Sequence, residues 1–275
     1  MAAHLFALDI DGTILTHEGE LRPAVYAAVR AVLDAGHHVV IATGRSLLAT
    51  LPVTAQLGIT TGFAVCSNGA VTLALDPAEP EGYRIQEAVT FDPAPVLGLL
   101  RDSWPDAVVA VEELGVGFKT SAPFPDYLEG VVTVVDWDEL LADPVTRVTF
   151  HSPTGTSEDF IHLAERIGLH GVNYAVGFSA WLDINPEGVS KASALEILRR
   201  RLCVEPGHTF AIGDQRNDVE MLHWAALGVA MGNAPQEVRD CANEVTADVY
   251  EDGLALALGA ALRRIGAGAS AGADG

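Results

Sequence analysis

With 275 residues, 49% hydrophobic and 19% charged, the chain has the apolar content for one or two domains with a sizeable core, which excludes a disordered polymer. Its 16 Lys and Arg against 37 Asp and Glu give a formal net charge of −21, a balance that opposes binding to nucleic acid or to an anionic membrane surface. The longest apolar stretches, such as 254–262, fall well short of the ~20 residues that span a bilayer.

In chain order, the first element is the apolar run Leu5-Phe6-Ala7-Leu8, which reads as a buried strand and ends in Asp9-Ile10-Asp11-Gly12-Thr13. Residues i and i+2 of a strand point to one side, so this spacing predicts two carboxylates converging on one spot. Such a pair can hold a hard cation, supply a nucleophile and supply an acid. Residues 23–35 start with Pro and stop near Gly36, as a helix does. A strand over 39–42 then runs into Thr43-Gly44-Arg45, a helix over 46–57 follows, and a strand over 63–66 runs into Ser67-Asn68-Gly69. Near the other end, a helix over 190–202 precedes a strand over 209–212 that ends in Gly213-Asp214, and 217–226 is a shorter helix. Continuous apolar runs fit strands covered on both faces. The alternation therefore predicts an α/β fold with a doubly wound, Rossmann-like parallel sheet, and all four polar clusters meet at the carboxyl edge of its strands.

Between roughly 80 and 186 the rhythm changes. Strands are expected over 83–89, 108–112, 116–119, 145–151, 173–176 and 181–184, with helices near 95–103 and 158–167. Pro77, Pro80, Pro93 and Pro95 mark the entrance to this region, and Asn185-Pro186-Glu187-Gly188 marks its exit. The expected organisation is a core of 1–80 and 187–265 with an α+β domain, 81–186, inserted into it. The Gly/Ala-rich tail 266–275 is expected to be disordered. The opening residues carry no basic segment, and Asp9 and Asp11 break their short apolar run, so a signal peptide is not expected. Cys66, Cys203 and Cys241 show no metal spacing and read as reduced thiols. A cytoplasmic location is the expectation. His37-His38 reads as a surface turn, Glu112-Glu113 as solvated in preference to substrate-selecting, and the four tryptophans as too dispersed to stack bases.

Five motifs now stand in order: Asp9-Ile10-Asp11-Gly12-Thr13, Thr43-Gly44-Arg45, Ser67-Asn68-Gly69, Gly188-Val189-Ser190-Lys191 and Gly213-Asp214-Gln215-Arg216-Asn217-Asp218. In order and spacing they resemble the haloacid dehalogenase (HAD) superfamily, and specifically its Cof-like, subclass IIB phosphatases, which carry a C2-type cap between their second and third motifs. Glu220-Met221-Leu222, the stretch 230–234 and Asp252-Gly253 echo the same pattern. The matches cover the core and leave only the cap without a fingerprint. Ala192 departs from the pattern, standing where members usually have Gly.

The resemblance implies a phosphatase that splits a slow hydrolysis into two steps through an aspartyl-phosphate. It makes Asp9 the nucleophile. Asp11 would protonate the leaving oxygen and then deprotonate the attacking water, while Lys191 steadies the spreading charge. It implies Mg²⁺ held by the Asp9 carboxylate, the Asp11 backbone carbonyl and the Asp214 carboxylate. Asp218 would orient Lys191 or a metal-bound water. Asn217 would donate to a phosphoryl oxygen or to that outer layer. The Thr43 hydroxyl and the Gly44 amide would receive phosphoryl oxygens at a helix N-terminus. Arg45 and Asn68 would touch the substrate or the closed cap. The implied partner is a small phosphorylated metabolite, by resemblance a sugar phosphate, with neither nucleic acid nor membrane, and the protein a monomer or small homo-oligomer. Cap motion would hinge near 77–82 and 185–189. Two rivals stay open: a phosphomutase or phosphotransferase on the same core, and a non-catalytic sugar-phosphate sensor.

Overall fold

In the computed structural model, which describes residues 2–125, 128–152, 172–176 and 181–271, the first half of the core runs β1 (Leu5–Leu8), α1 (Pro23–Asp34), β2 (His38–Ala42), α2 (Leu47–Gln56), β3 (Gly62–Cys66), β4 (Val71–Leu75) and β5 (Tyr83–Ala88). The inserted domain follows as α3 (Ala94–Ser103), β6 (Val108–Glu113), β7 (Gly117–Thr120), β8 (Val131–Val134), α4 (Trp137–Leu140), β9 (Val148–His151), β10 (Val172–Val176) and β11 (Trp181–Pro186). The chain then returns through α5 (Lys191–Arg201), β12 (Thr209–Gly213), α6 (Val219–Trp224), β13 (Leu227–Ala230), α7 (Gln236–Cys241), β14 (Glu244–Val245) and α8 (Gly253–Ala271).

The core sheet has the order β14-β13-β12-β1-β2-β3-β4-β5. Its strands are parallel from β14 to β3, and β4 and β5 each pair antiparallel with the strand before them. Alternation along each strand feeds two apolar layers. Phe6, Leu8, Val39, Ile41 and Ile212 face α1, α2 and α8 through Val25, Val29, Val53, Leu254 and Leu258. Leu5, Ala7, Val40, Ala42 and Ala211 face α5, α6 and α7 through Leu195, Leu198, Met221, Leu222 and Val238. With both faces covered, the only open places for polar side chains on the central strands are the ends. Local signals set the helix starts there: α1 begins at Pro23, Ser46 caps α2 by accepting from the Ala49 amide, and Ser190 and Ser193 form a reciprocal cap at α5.

The cap sheet has the order β10-β11-β9-β6-β7-β8, antiparallel except where β7 meets β8. One face is apolar: Val109, Val111, Val148, Phe150, Leu182 and Ile184 pack on Leu97 and Leu100 of α3 and Leu140 of α4. The alternate positions Glu112, Thr149 and Asp183, and Arg147 just before β9, belong to the other face.

Four expectations are corrected. The stretch 83–89 belongs to the core sheet, not the cap: β5 completes a hairpin with β4. Its turn is closed by the Asp76 amide to the Gly82 carbonyl and the Gly82 amide to Glu79, so 77–82 is a hairpin turn instead of a hinge. The cap starts after β5, where Phe91 bridges to Val145. The tail expected to be disordered is helical as far as Ala271, because extending an established helix through alanines costs far less than nucleating one. The helix expected near 158–167 lies outside the described residues. Finally, His37 is buried, not in a surface turn, and its ring packs edge-on against His4 near Phe6.

Candidate active site

The strand β1 stops at Leu8, and the chain then coils around the Ile10 carbonyl, which accepts from the amides of Thr13, Ile14 and Leu15 at 3.3, 2.9 and 2.8 Å. This turn changes what the i, i+2 spacing delivers. Asp9 points inward and is buried, whereas the Asp11 side chain is 56% exposed. Both line one cavity but their carboxylates have different partners. Asp11 is held by both arms of Arg45, Nε to Oδ2 at 2.9 Å and Nη2 to Oδ1 at 2.5 Å.

Asp9 meets residues from the far end of the chain. Lys191, in the first turn of α5, is buried and its Nζ donates to Asp9 Oδ1 at 2.7 Å and to Asp218 Oδ1 at 2.6 Å. The second oxygen of Asp218 accepts the amides of Asp214 and Gln215, both at 2.9 Å, which fastens the loop after β12. Asp214 is itself held: Oδ1 accepts from the Thr13 hydroxyl at 3.3 Å, and Oδ2 from Gln215 at 2.7 Å and Asn233 at 3.2 Å. Gly12 allows this closeness. Its φ is +76°, and a Cβ there would lie 2.3 Å from Asp214 Oδ2.

Oxygens of Asp9, Asp214 and Asp218 lie within 4.8 Å of one another around a single ammonium. The negative excess shows in their acidity. Burial and the neighbouring Asp218 raise Asp9 well above the usual carboxylate range, despite the pull of Lys191. Burial, then Asp218, pushes Asp214 up to about 7. For Lys191, burial works against the charged form, but Asp218 and Asp9 outweigh it and hold its pKa above the ordinary value. A divalent cation would relieve this excess, and the all-oxygen donor set fits Mg²⁺.

A second set of residues forms the rim. Thr43 is buried, lines the cavity and accepts the Arg45 amide at 3.1 Å on its hydroxyl. Gly44 also lines it, and the Gly44 carbonyl accepts from Arg147 Nη1 of the cap at 2.6 Å. Asn217 Nδ2 donates to Asn68 Oδ1 at 2.9 Å, and Asn68 Nδ2 donates to Asn185 at 3.2 Å. Ser67, Asn68 and Gly69 all sit at positive φ, 47°, 54° and 106°, a costly turn that presents these side chains. Asn185 extends the chain to the Ser67 carbonyl at 2.9 Å. Among the described residues the cavity encloses about 470 Å³ between core and cap, with Asp9, Asp11, Thr43 and Arg45 on one wall and Phe118, Glu129, Arg147 and Asp183 on the other.

Sequence reasoning missed the cap wall. Glu112, expected to be solvated, is buried and accepts from Ser67 of the core at 2.7 Å and from Thr146 at 2.9 Å. Arg147 is buried between Glu112 at 3.8 Å and Asp183 at 3.9 Å, its guanidinium 5.2 Å above the Phe118 ring. Burial raises the Asp183 carboxyl, while Arg147 and the Thr149 hydroxyl, at 2.8 Å, pull it back. The available signal was the polar–apolar alternation of Arg147-Val148-Thr149-Phe150 and Leu182-Asp183-Ile184-Asn185. Away from the site, Cys66 is buried and its thiol is pushed up to about 12, an inert group. Among the described residues no helix is long and apolar enough to cross a membrane.

A doubly wound sheet, an acid cluster with a lysine at its strand ends and an inserted α+β cap together define a hydrolase of the HAD type. The comparisons agree: the family model for haloacid dehalogenase-like hydrolases matches residues 6–90 and 126–258, and the chain belongs to that family. It is similar to a putative phosphatase of Bacillus subtilis (strain 168), 28% identical over 272 residues that cover 94% of this chain and 97% of that protein. Among solved structures it is similar to a HAD-superfamily phosphatase from Bacteroides thetaiotaomicron, 27% identical, with a TM-score of 0.78 and coverage of 94% and 95%. It shares its fold with a subclass IIB sugar phosphatase, 23% identical, with a TM-score of 0.78 and coverage of 94% and 98%. The chain is thus an enzyme, a haloacid dehalogenase-like hydrolase.

Proposed function

We propose that the protein hydrolyses the phosphate monoester of a small metabolite, a sugar phosphate by preference, through a phospho-Asp9 intermediate. The observation that carries this reading is Lys191 Nζ shared between Asp9, which lines the cavity, at 2.7 Å and the buried Asp218 at 2.6 Å. It fixes one Asp9 oxygen and leaves the other to attack phosphorus in line. Asp214 and Asp9, with the Asp11 carbonyl, would hold Mg²⁺, which when bound draws off charge from the phosphoryl oxygens. The Thr43 hydroxyl and Gly44 amide receive those oxygens, joined by Asn217. Asp218, with both oxygens engaged, is a positioning residue for Lys191 and the Asp214 loop.

As the ester bond breaks, the leaving oxygen takes its proton from Asp11, and the phosphoryl group passes to Asp9. Asp11 then removes a proton from water, the water oxygen attacks the phosphorus of phospho-Asp9, and inorganic phosphate and free Asp9 result. In the protein as described Arg45 occupies both oxygens of Asp11. On this reading the incoming phosphoryl group draws Arg45 away and frees Asp11 to work. The test is phosphate release from a panel of sugar, polyol, nucleotide and cofactor phosphates, with Mg²⁺ or EDTA, and with Asp9→Asn as the blank. Release that needs both Mg²⁺ and Asp9 supports the reading. Release that survives Asp9→Asn sinks it.

A further inference from the structure

The cavity has two ends, and they differ in charge. At the phosphoryl end Arg45 is matched to Asp11, and Asp9 to Lys191. At the other end the cap contributes Phe118, Leu128, Glu129, Arg147 and Asp183. The leaving group of any bound ester must lie there, because Asp9 fixes where the phosphorus sits.

Arg147 looks at first like an anchor for a second anion. Its surroundings argue against that. The side chain is only 7% exposed and answers two carboxylates, Glu112 at 3.8 Å and Asp183 at 3.9 Å, while Nη1 is spent on the Gly44 carbonyl at 2.6 Å. Its buried Nε has no hydrogen-bond partner and faces the Glu112 side. One cation, Arg147, therefore stands between two carboxylates, Glu112 and Asp183, so this cluster carries surplus negative charge. Asp183 has one short contact. It sits on the polar face of β11, between apolar-facing Leu182 and Ile184, and its Oδ1 accepts from Thr149 at 2.8 Å. Phe118 and Leu128 supply apolar walls beside it.

We propose that Asp183, held by Thr149 and Arg147, is a specificity-determining residue that accepts a hydrogen bond from a hydroxyl or amine of the leaving group, and that this end of the cavity turns away esters bearing a second phosphate or a carboxylate. The inference rests on the phosphatase reading above and assigns its selectivity to the cap. Placing like charges together in a partly desolvated site costs enough to give discrimination of about tenfold or more.

The experiment compares kcat/KM for a hexose 6-phosphate, a hexose 1,6-bisphosphate and a 6-phosphoaldonate, with p-nitrophenyl phosphate as a leaving group that carries neither feature. The wild type is expected to favour the hexose monophosphate over both anionic esters by at least about tenfold. Asp183→Asn, which keeps an acceptor oxygen but removes the charge, is expected to narrow that ratio severalfold. Circular dichroism confirms that the variant is folded. Equal or better wild-type turnover of the bisphosphate or the aldonate overturns the inference and leaves the phosphatase reading standing. So does a ratio unchanged by Asp183→Asn. No turnover of any ester, p-nitrophenyl phosphate included, overturns the phosphatase reading and this inference with it.

Discussion

Lys191 in the core and Arg147 in the cap are both buried basic side chains placed between two carboxylates, but the distances differ by more than an ångström. The lysine makes two charge-assisted hydrogen bonds, 2.7 and 2.6 Å. The arginine keeps its acids at 3.8 and 3.9 Å and makes its short bond to the Gly44 backbone instead. Short, saturated contacts fix an atom to a few tenths of an ångström, which an in-line attack on phosphorus requires. Longer ion pairs leave room for a side chain to shift when different leaving groups enter. The core cluster is built for one geometry and the cap cluster for adjustment around it.

The largest test of that contrast is Asp9→Asn. It is isosteric, so the fold should hold, yet phosphate release should fall at least about a thousandfold because the nucleophile is gone. A variant retaining a tenth of the activity would break the assignment. Next come Lys191→Met and Arg147→Met, compared by denaturant midpoints. Removing the lysine strands Asp9 and Asp218 without their common donor, and loss of one partner of a buried pair costs about 3–5 kcal/mol. The arginine variant should cost about 1–3 kcal/mol, since its acids are farther away and Glu112 keeps the Ser67 and Thr146 hydroxyls. Equal losses would erase the distinction between a locked and an adjustable cluster.

Of similar size to the arginine variant is Gly69→Ala, at the seam between the two regions. Gly69 has φ +106°, and a Cβ would lie 2.2 Å from the Ser190 carbonyl oxygen, next to Lys191. Strain and displacement should destabilise by about 2–3 kcal/mol and lower kcat more than they raise KM, because the shifted element carries Lys191. A change confined to KM would mean that the turn serves substrate entry and not the placement of Lys191.

The same contrast explains how much the sequence could tell. Thr43 and Asp214 stand where apolar runs give way to small polar residues, and in a sheet covered on both faces such endings share one edge, so that part of the core cluster was legible, while Lys191 came from the resemblance of its motif alone. Asp11 was only half legible. Its shared cavity with Asp9 followed from spacing, but its pairing with Arg45 depends on the coil around the Ile10 carbonyl. Arg147, Glu112 and Asp183 were not legible as a group. Alternation in β9 and β11 announces a polar face, but whether that face looks at water or at the core depends on how the whole cap docks. The edge of the cap misled for a related reason: β5 reads as a short amphipathic strand in either domain, and only its pairing with β4 assigns it.

A pH dependence also separates the two clusters. Asp214, pushed up to about 7 from an ordinary 3.8 by burial and then by Asp218, takes up a proton more readily folded than unfolded. The metal-free protein should therefore lose stability as pH rises from about 4 towards 7, the reverse of a salt-bridged carboxylate. Any divalent cation must displace that proton. Apparent Mg²⁺ affinity, read by calorimetry, should rise about tenfold per pH unit below about 7 and level off above it. The Tm gain on adding Mg²⁺ should be larger at the higher pH for the same reason. Arg147→Met lies outside this cluster and should leave the slope as it is, whereas Asp214→Asn should flatten it. A slope that followed Arg147 instead would place the proton in the cap and merge the two clusters into one.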